Sequence, residues 1–229
     1  VKTARRTYSI NGVALSIIDY ATSVAGDVIA AELLNNAYLI DSIDFAPGDT
    51  VLDLGGHVGM VSIYLAKRHP SLKIYSYEPC PNNYEHFLLN LDSNKVRNVQ
   101  VFDKAVTRDG RMLDMIANLE DNSAGATAQL KDMQLPGHSY FRVESLTLDD
   151  IFADKNINYC KLLKIDIEGS EHEVLLNSSC LDKVGYLVGE FHVNGCLNQK
   201  GYSVERLYNH VKQFVPEHNI SFTSCRMAE

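Results

Sequence analysis

Val51-Leu52-Asp53-Leu54-Gly55-Gly56-His57-Val58-Gly59 decides the fold. Thr50 to Leu54 is a short, mostly apolar run, the composition of a strand buried on both faces of a parallel sheet. It carries one acid, Asp53, and leads straight into a loop with three glycines. Glycines at a strand-to-helix turn permit positive φ and let a ligand approach the backbone. The helix that follows offers free N–H groups at its start. Met60 to His69 is that helix, ended by Pro70. A nicotinamide-type G-x-G-x-x-G is not matched, because Leu54 occupies its first glycine, and the chain has no G-x-x-x-x-G-K-[ST] phosphate loop.

Outward from this loop the chain alternates strand and helix. Pro47-Gly48-Asp49 is the turn before the strand, and residues 24–45 read as a helix with an apolar face. Lys73 to Glu78 is a second strand, Asn82 to Asp92 a second helix, and Val99 to Phe102 a third strand. The rhythm resumes with a strand at Cys160 to Ile167, a helix at Ser170 to Leu176 and a strand at Tyr186 to Val193. A helix near Val204 to Phe214 and a strand near Ile220 to Cys225 close the chain. Such alternation means βαβ units and an α/β fold with a mostly parallel sheet, helices on both faces. Residues 107–145 lack the rhythm. Arg108-Asp109-Gly110 is a turn, and Arg111 to Ile116 and Tyr140 to Glu144 have strand composition. The stretch reads as an inserted hairpin and loop at the sheet's edge or mouth. Ligands bind at the carboxyl ends of such strands, so this insertion, including Asn122-Ser123-Ala124-Gly125, is expected to cover a substrate.

Composition narrows the partners. The chain has 229 residues, 45% of them apolar and 22% charged, which is globular and neither disordered nor coiled-coil. With 21 basic and 29 acidic side chains the net charge is −8. Nucleic acids and anionic membranes both select basic surfaces, so neither is expected as a partner. Five cysteines, an odd number without C-x-x-C spacing, argue against a disulfide framework and a zinc knuckle. They read as reduced thiols of a cytoplasmic protein. No apolar run reaches the roughly 18 residues of a membrane span. The start, Val1 to Arg6, is not followed by the apolar stretch of a signal peptide.

Two acidic regions carry candidate chemistry. Glu78 ends the second strand, where a carboxylate either accepts both hydroxyls of a ribose or is simply a strand-end acid. Asp166, Glu168 and Glu171 fall within six residues at the end of a buried strand, where they repel one another unless they hold a cation, a sulfonium or hydroxyls. For Glu171 a favourable place at a helix N-terminus is the alternative. Glu190 and His192 share one face of the next strand and are expected beside Asp166. His192 is either a structural histidine or a base whose pKa the nearby acids raise.

The glycine stretch followed by Tyr77-Glu78-Pro79 resembles class I S-adenosylmethionine-dependent methyltransferases and their Rossmann-like fold. More narrowly the chain resembles the FkbM-type family, through Pro47-Gly48-Asp49, through Asn82 and Asn90 after Glu78, and through Leu146 to Asp150 before Leu163-Lys164-Ile165-Asp166-Ile167-Glu168-Gly169-Ser170-Glu171. His57 departs from the asparagine usual in the family's loop. The resemblance implies one methyltransferase domain over 1–229, with a helical segment over 1–46 and the insertion over 107–145. It implies that Gly55, Gly56, His57 and Gly59 cradle S-adenosylmethionine, and that Asp53 orients the loop and reaches the cofactor's ammonium through water. Glu78 then takes the ribose, and Asp103 and Ala105 lie against the adenine. Glu32 either closes over the cofactor or is a surface residue.

The implied reaction is O-methylation of a hydroxyl on a small molecule, natural product or sugar. His192 is the first candidate for general base and Asp166 the second, with Glu190 beside them. A divalent cation, Mg²⁺ or Ca²⁺, held by Asp166, Glu168 and Glu190 is the alternative. The rival readings are a non-catalytic module that holds the cofactor or a nucleoside, and a nicotinamide oxidoreductase, which Leu54 and Asp53 disfavour. Such folds normally close with a strand pair, and only one strand is read after the last helix, unless Gly201 to Val204 supplies another.

Overall fold

The computed structural model describes residues 2–117, 138–193 and 195–226. It begins with a hairpin. Thr3–Ile10 (β1) pairs antiparallel with Val13–Tyr20 (β2). Asn11 and Gly12 between them take φ of 47° and 80°, the left-handed pair that a two-residue hairpin turn requires. The expected helical segment over 1–46 is therefore corrected. Burial in β1 alternates residue by residue, a period of two that belongs to a strand. Helix is confined to Ala25–Leu34 (α1) and a 3₁₀ turn at Ile40–Ser42, with left-handed Asn36 and Leu39 interrupting the path.

The chain then runs through Thr50–Leu54 (β3), Met60–Arg68 (α2), Lys73–Tyr77 (β4), Pro81–Ser93 (α3) and Val99–Phe102 (β5). Ala105–Val106 (β6), Leu113–Ala117 (β7), Ser139–Val143 (β8) and Ser145–Leu146 (β9) form the insertion. Leu148–Asp154 (α4), Cys160–Ile165 (β10), Glu171–Leu175 (α5), Val184–Val193 (β11), Gly195–Gln199 (α6), Val204–Val211 (α7) and Ile220–Arg226 (β12) complete it.

Six strands make one parallel sheet in the order β12-β11-β10-β3-β4-β5. Neighbouring residues of one strand feed opposite cores. Val51, Leu162 and Val188 face a layer holding α2, α3 and the hairpin. Leu52, Leu163 and Leu187 face a layer holding α4, α5 and α7. That two-sided burial is why these strands read as nearly continuous apolar runs.

Two asparagines of α3 attach the hairpin to the sheet layer. Asn90 accepts from Ile18 N at 2.7 Å and donates to Ile18 O at 3.0 Å. Asn94 accepts from Ser16 N at 3.0 Å and donates to Ser16 O at 2.7 Å. Their amides complete the ladder of β2 as a further strand would. Asn90 also donates to Val58 O in the glycine loop at 2.9 Å.

The order of strands reverses between β3 and β10, which opens a crevice at their carboxyl ends. The insertion lies beside it. β7 and β8 form an antiparallel pair, and β6 pairs parallel with β9. The stretch Asn122 to Gly125 lies outside the described residues. Gly201 to Val204 supplies no strand, because Ser203 instead caps α7, accepting from Arg206 N at 3.1 Å. β12 pairs directly with β11.

Candidate active site

A cavity of about 490 Å³ opens over the carboxyl ends of β3, β4 and β10, a volume in the range of small-molecule sites. Its floor is the glycine loop. Gly55 has φ of 81°, and a Cβ there would sit 1.7 Å from Asp166 O. Gly55 N and Gly56 N both donate to Tyr77 O, at 2.9 and 3.1 Å. No side chain larger than hydrogen fits between the loop and β10. Gly59 serves packing instead. A Cβ there would meet the Phe87 ring at 2.2 Å, and the residue lies off the cavity wall at the start of α2.

Gly55, Gly56, His57, Glu78 and Ala105 all line the cavity. Glu78 is buried, and its two oxygens accept from His57 N at 2.8 Å and Cys80 N at 2.9 Å. Burial pushes its pKa up to about 7 despite these hydrogen bonds. A carboxylate has about four acceptor sites, so Glu78 keeps capacity for donors from the cavity. His57 is buried with φ of 50°, and burial holds its pKa down at about 4, so it presents a neutral imidazole.

Besides Gly59, two other expected cofactor contacts, Asp53 and Asp103, lie off the cavity wall. Asp53 stands behind the loop and is not part of the cavity wall. It is 1% exposed and is consumed by Ser62 Oγ at 2.7 Å, Ser76 Oγ at 3.3 Å and Lys164 Nζ at 3.1 Å. It orients the loop, but it does not face the cavity. Asp103 follows the end of β5 and is exposed away from the cavity, whereas Ala105, paired into β6, faces it.

The acids gather at the other end. Asp166, Glu168 and Glu190 line the cavity, and His192 stands behind them at 3% exposure. His192 Nδ1 lies 3.0 Å from Glu171 Oε1, and its Nε2 lies 3.4 Å from Glu168 and 3.7 Å from Glu190. Burial alone would lower the His192 pKa, but the hydrogen bond and charge of Glu171, then Glu168 and Asp166, raise it to about 9. His192 is therefore an imidazolium near neutral pH and off the cavity wall. The first candidate for general base thus stands behind the wall, and the second, Asp166, faces the cavity. Asp166 and Glu190 face the cavity, and burial first of all raises the pKa of each. Burial raises Glu168 to about 8.

Glu171 is fully buried and accepts from Ile167 N at 2.9 Å and Gly169 N at 3.2 Å. It ties the turn after β10 to His192. The trio expected to hold a divalent cation, Asp166, Glu168 and Glu190, is not the set whose donor atoms converge. Those of Asp166, Glu171 and His192 lie within 4.8 Å of one another. That set contains an imidazole, whereas magnesium prefers an all-oxygen shell, and Glu171 already serves backbone donors, so the group fits a hydrogen-bonded network better than a magnesium site.

Of the two places expected for Glu32, over the cofactor or on the surface, the structure puts it on the cavity wall, while other wall residues were not legible from the sequence. Glu32 does face the cavity, and Tyr38 Oη donates to its Oε2 at 2.5 Å. Val24, which precedes α1, and Val28 of α1 are 65% and 53% exposed and line the cavity together with Leu113 and Met115 of β7. Lys164 also lines the cavity, and a lysine inside a buried strand was the available signal for it.

The profile of the family described as "Methyltransferase FkbM domain" matches residues 53–219. The chain is 28% identical over 192 residues to the 31-O-demethyl-FK506 methyltransferase FkbM of Streptomyces tacrolimicus, covering 72% of this chain and 74% of that protein. It is 25% identical over 166 residues to Methyltransferase 1 of Beauveria bassiana, covering 64% of this chain and 67% of that one. Among solved structures, the precorrin-6y C5,15-methyltransferase of Geobacter metallireducens aligns with a TM-score of 0.43 at 15% identity, over 77% of this chain and 70% of that chain.

Proposed function

Because the chain belongs to the FkbM methyltransferase family, we propose that it uses S-adenosylmethionine to O-methylate a hydroxyl on a small molecule, natural product or sugar. The observation that carries this reading is one cavity with a glycine-floored half and an acidic half. The cofactor fits the residues present. Gly55 and Gly56 leave backbone where a Cβ would collide, and Glu78 offers a buried carboxylate to a ribose. Ala105 and Tyr77 supply apolar wall for an adenine. When bound, S-adenosylmethionine supplies a methyl group activated by its sulfonium.

The chain's own residues then have two tasks. One is to align the acceptor hydroxyl in a site that excludes water. Val24, Val28, Leu113 and Met115 provide apolar surface for the acceptor's body. The other is to take the hydroxyl proton. Asp166 faces the cavity and its raised pKa makes it a stronger base than an ordinary aspartate. Glu190 stands beside it, and the His192 imidazolium holds the carboxylates in place. The described cysteines Cys80, Cys160 and Cys180 are free and buried, which suits a reducing, cytoplasmic setting. Among the described residues no helix is long and apolar enough to cross a membrane.

Calorimetry with S-adenosylmethionine, S-adenosylhomocysteine and NAD tests the cofactor. Binding of NAD alone would overturn the reading. Asp166→Asn is expected to keep S-adenosylhomocysteine affinity within a few-fold while methyl transfer falls by about 10²–10⁴-fold. Unchanged transfer in both Asp166→Asn and Glu190→Gln would remove the assigned base. Cofactor binding without transfer to any hydroxyl acceptor would favour a non-catalytic module.

A further inference from the structure

Lys164 stands where the two halves of the cavity meet. Its strand is buried on both faces, and its side chain is 5% exposed. A lone ammonium there is expensive, yet three oxygens surround it. Lys164 Nζ donates to Gly55 O at 2.6 Å and lies 3.1 Å from Asp53 Oδ1 and 4.0 Å from Asp166 Oδ2. Strand register creates the first pairing, because Lys164 and Asp53 are direct partners across β10 and β3. Burial pulls the lysine's pKa down, but the charges of Asp53 and then Asp166 more than offset this and raise it. The ammonium is therefore permanent.

Gly55 is gripped from both sides, its N–H by Tyr77 O and its carbonyl by Lys164. The groups whose charges act on the ammonium are Asp53 on β3, Asp166 on its own strand and Glu78 after β4. The ammonium acts in turn on His57 in the loop.

We propose that Lys164 is a positioning residue that locks the glycine loop to the end of β10, so that cofactor affinity depends on its hydrogen bond to the Gly55 carbonyl and not only on its neutralising Asp53. The identity of the cofactor in this proposal rests on the methyltransferase reading. The competing account is that Lys164 only neutralises Asp53. Lys164→Met and the double variant Asp53→Asn/Lys164→Met separate the two. The double variant removes both buried charges but still leaves the Gly55 carbonyl unheld.

Each protein is titrated calorimetrically with S-adenosylhomocysteine across about pH 6 to 9, melted without ligand, and followed by amide hydrogen exchange over residues 53–60. Loss of a hydrogen bond from a charged donor predicts affinity weakened by about tenfold or more in Lys164→Met. The double variant is expected to recover the thermal midpoint but not the affinity, and to exchange faster than wild type at the loop amides. Recovery of both midpoint and affinity in the double variant, with wild-type exchange at the loop, would overturn the proposal. Wild-type protein that fails to bind S-adenosylhomocysteine sinks the cofactor reading instead, and loop exchange in the double variant then still decides the role of Lys164.

Discussion

At the ends of β3 and β4 the polar groups are satisfied mainly by backbone across the two strand ends, whereas at the ends of β10 and β11 carboxylates and an imidazole also meet one another. Glu78 takes its N–H donors from His57 and Cys80, and Gly55 and Gly56 give theirs to Tyr77. The acidic end holds Asp166, Glu168, Glu171 and Glu190 around one imidazolium. The first region is a fixed surface that a ligand can approach. The second is a pit in which burial raises the pKa values of Asp166, Glu168 and Glu190, which suits proton transfer. Binding and chemistry are thus assigned to different physical devices in a single cavity.

The largest test of this contrast is Glu171→Ala. It leaves the His192 imidazolium without its nearest anion and two backbone N–H groups without an acceptor. Breaking a buried pair predicts a loss of about 3–5 kcal/mol, measured by denaturant unfolding. A loss below about 1 kcal/mol would mean that the acidic end is not held together by this pair. On the loop side, Gly55→Ala forces a Cβ onto the Asp166 carbonyl at positive φ. A cost of about 3 kcal/mol is expected from strain of this kind, with loss of S-adenosylhomocysteine binding by calorimetry. Wild-type affinity in this variant would show that the close approach of loop and β10 is dispensable.

Asn90→Ala is a milder cut, between the hairpin and the loop. It strands the backbone of Ile18 and Val58 and should cost about 1–3 kcal/mol. Thermal melting checks it, and a neutral effect would show that the hairpin is not anchored through this amide.

The remaining test is the pH dependence. Glu168 and His192 have folded pKa values of about 8 and about 9, above their ordinary 4.5 and 6.5. The folded protein therefore holds more protons than the unfolded chain across that window, and stability falls as pH rises. The His192 contribution is whole below 6.5 and is lost as pH passes through about 9. The ligand-free midpoint should drop between about pH 6 and 9, and Glu168→Gln should flatten the drop. A midpoint that climbs over this range would contradict the charge balance assigned to the acidic end.

The loop half was legible because its chemistry is local. Three glycines after an apolar strand admit few conformations, and Glu78 follows at the next strand end. The hairpin was missed despite an Asn11-Gly12 turn and alternating burial in β1, because the apolar stretch after residue 24 drew the reading toward helix. Asn82 and Asn90, met as part of a functional signature, turn out to fasten the hairpin, through Tyr20 Oη at 2.7 Å and the backbone of Ile18. The acids at 166, 168, 171 and 190 were visible as a cluster, but their roles were not. A carboxylate's role depends on which donor it meets.

The sequence by itself determined the alternation of strand and helix, the glycine floor, the acid after the second core strand, and the family. Each of these is written in residues a few positions apart, where steric rules act directly. Only the tertiary structure decided that Asp53 faces Lys164 rather than the cavity, that His192 is buried against Glu171 behind the cavity wall, and that α1 rims the mouth. Those outcomes depend on parallel register and on burial. Residues 53 and 164 meet across β3 and β10, and a pKa is set by the dielectric and charges that packing brings around the group.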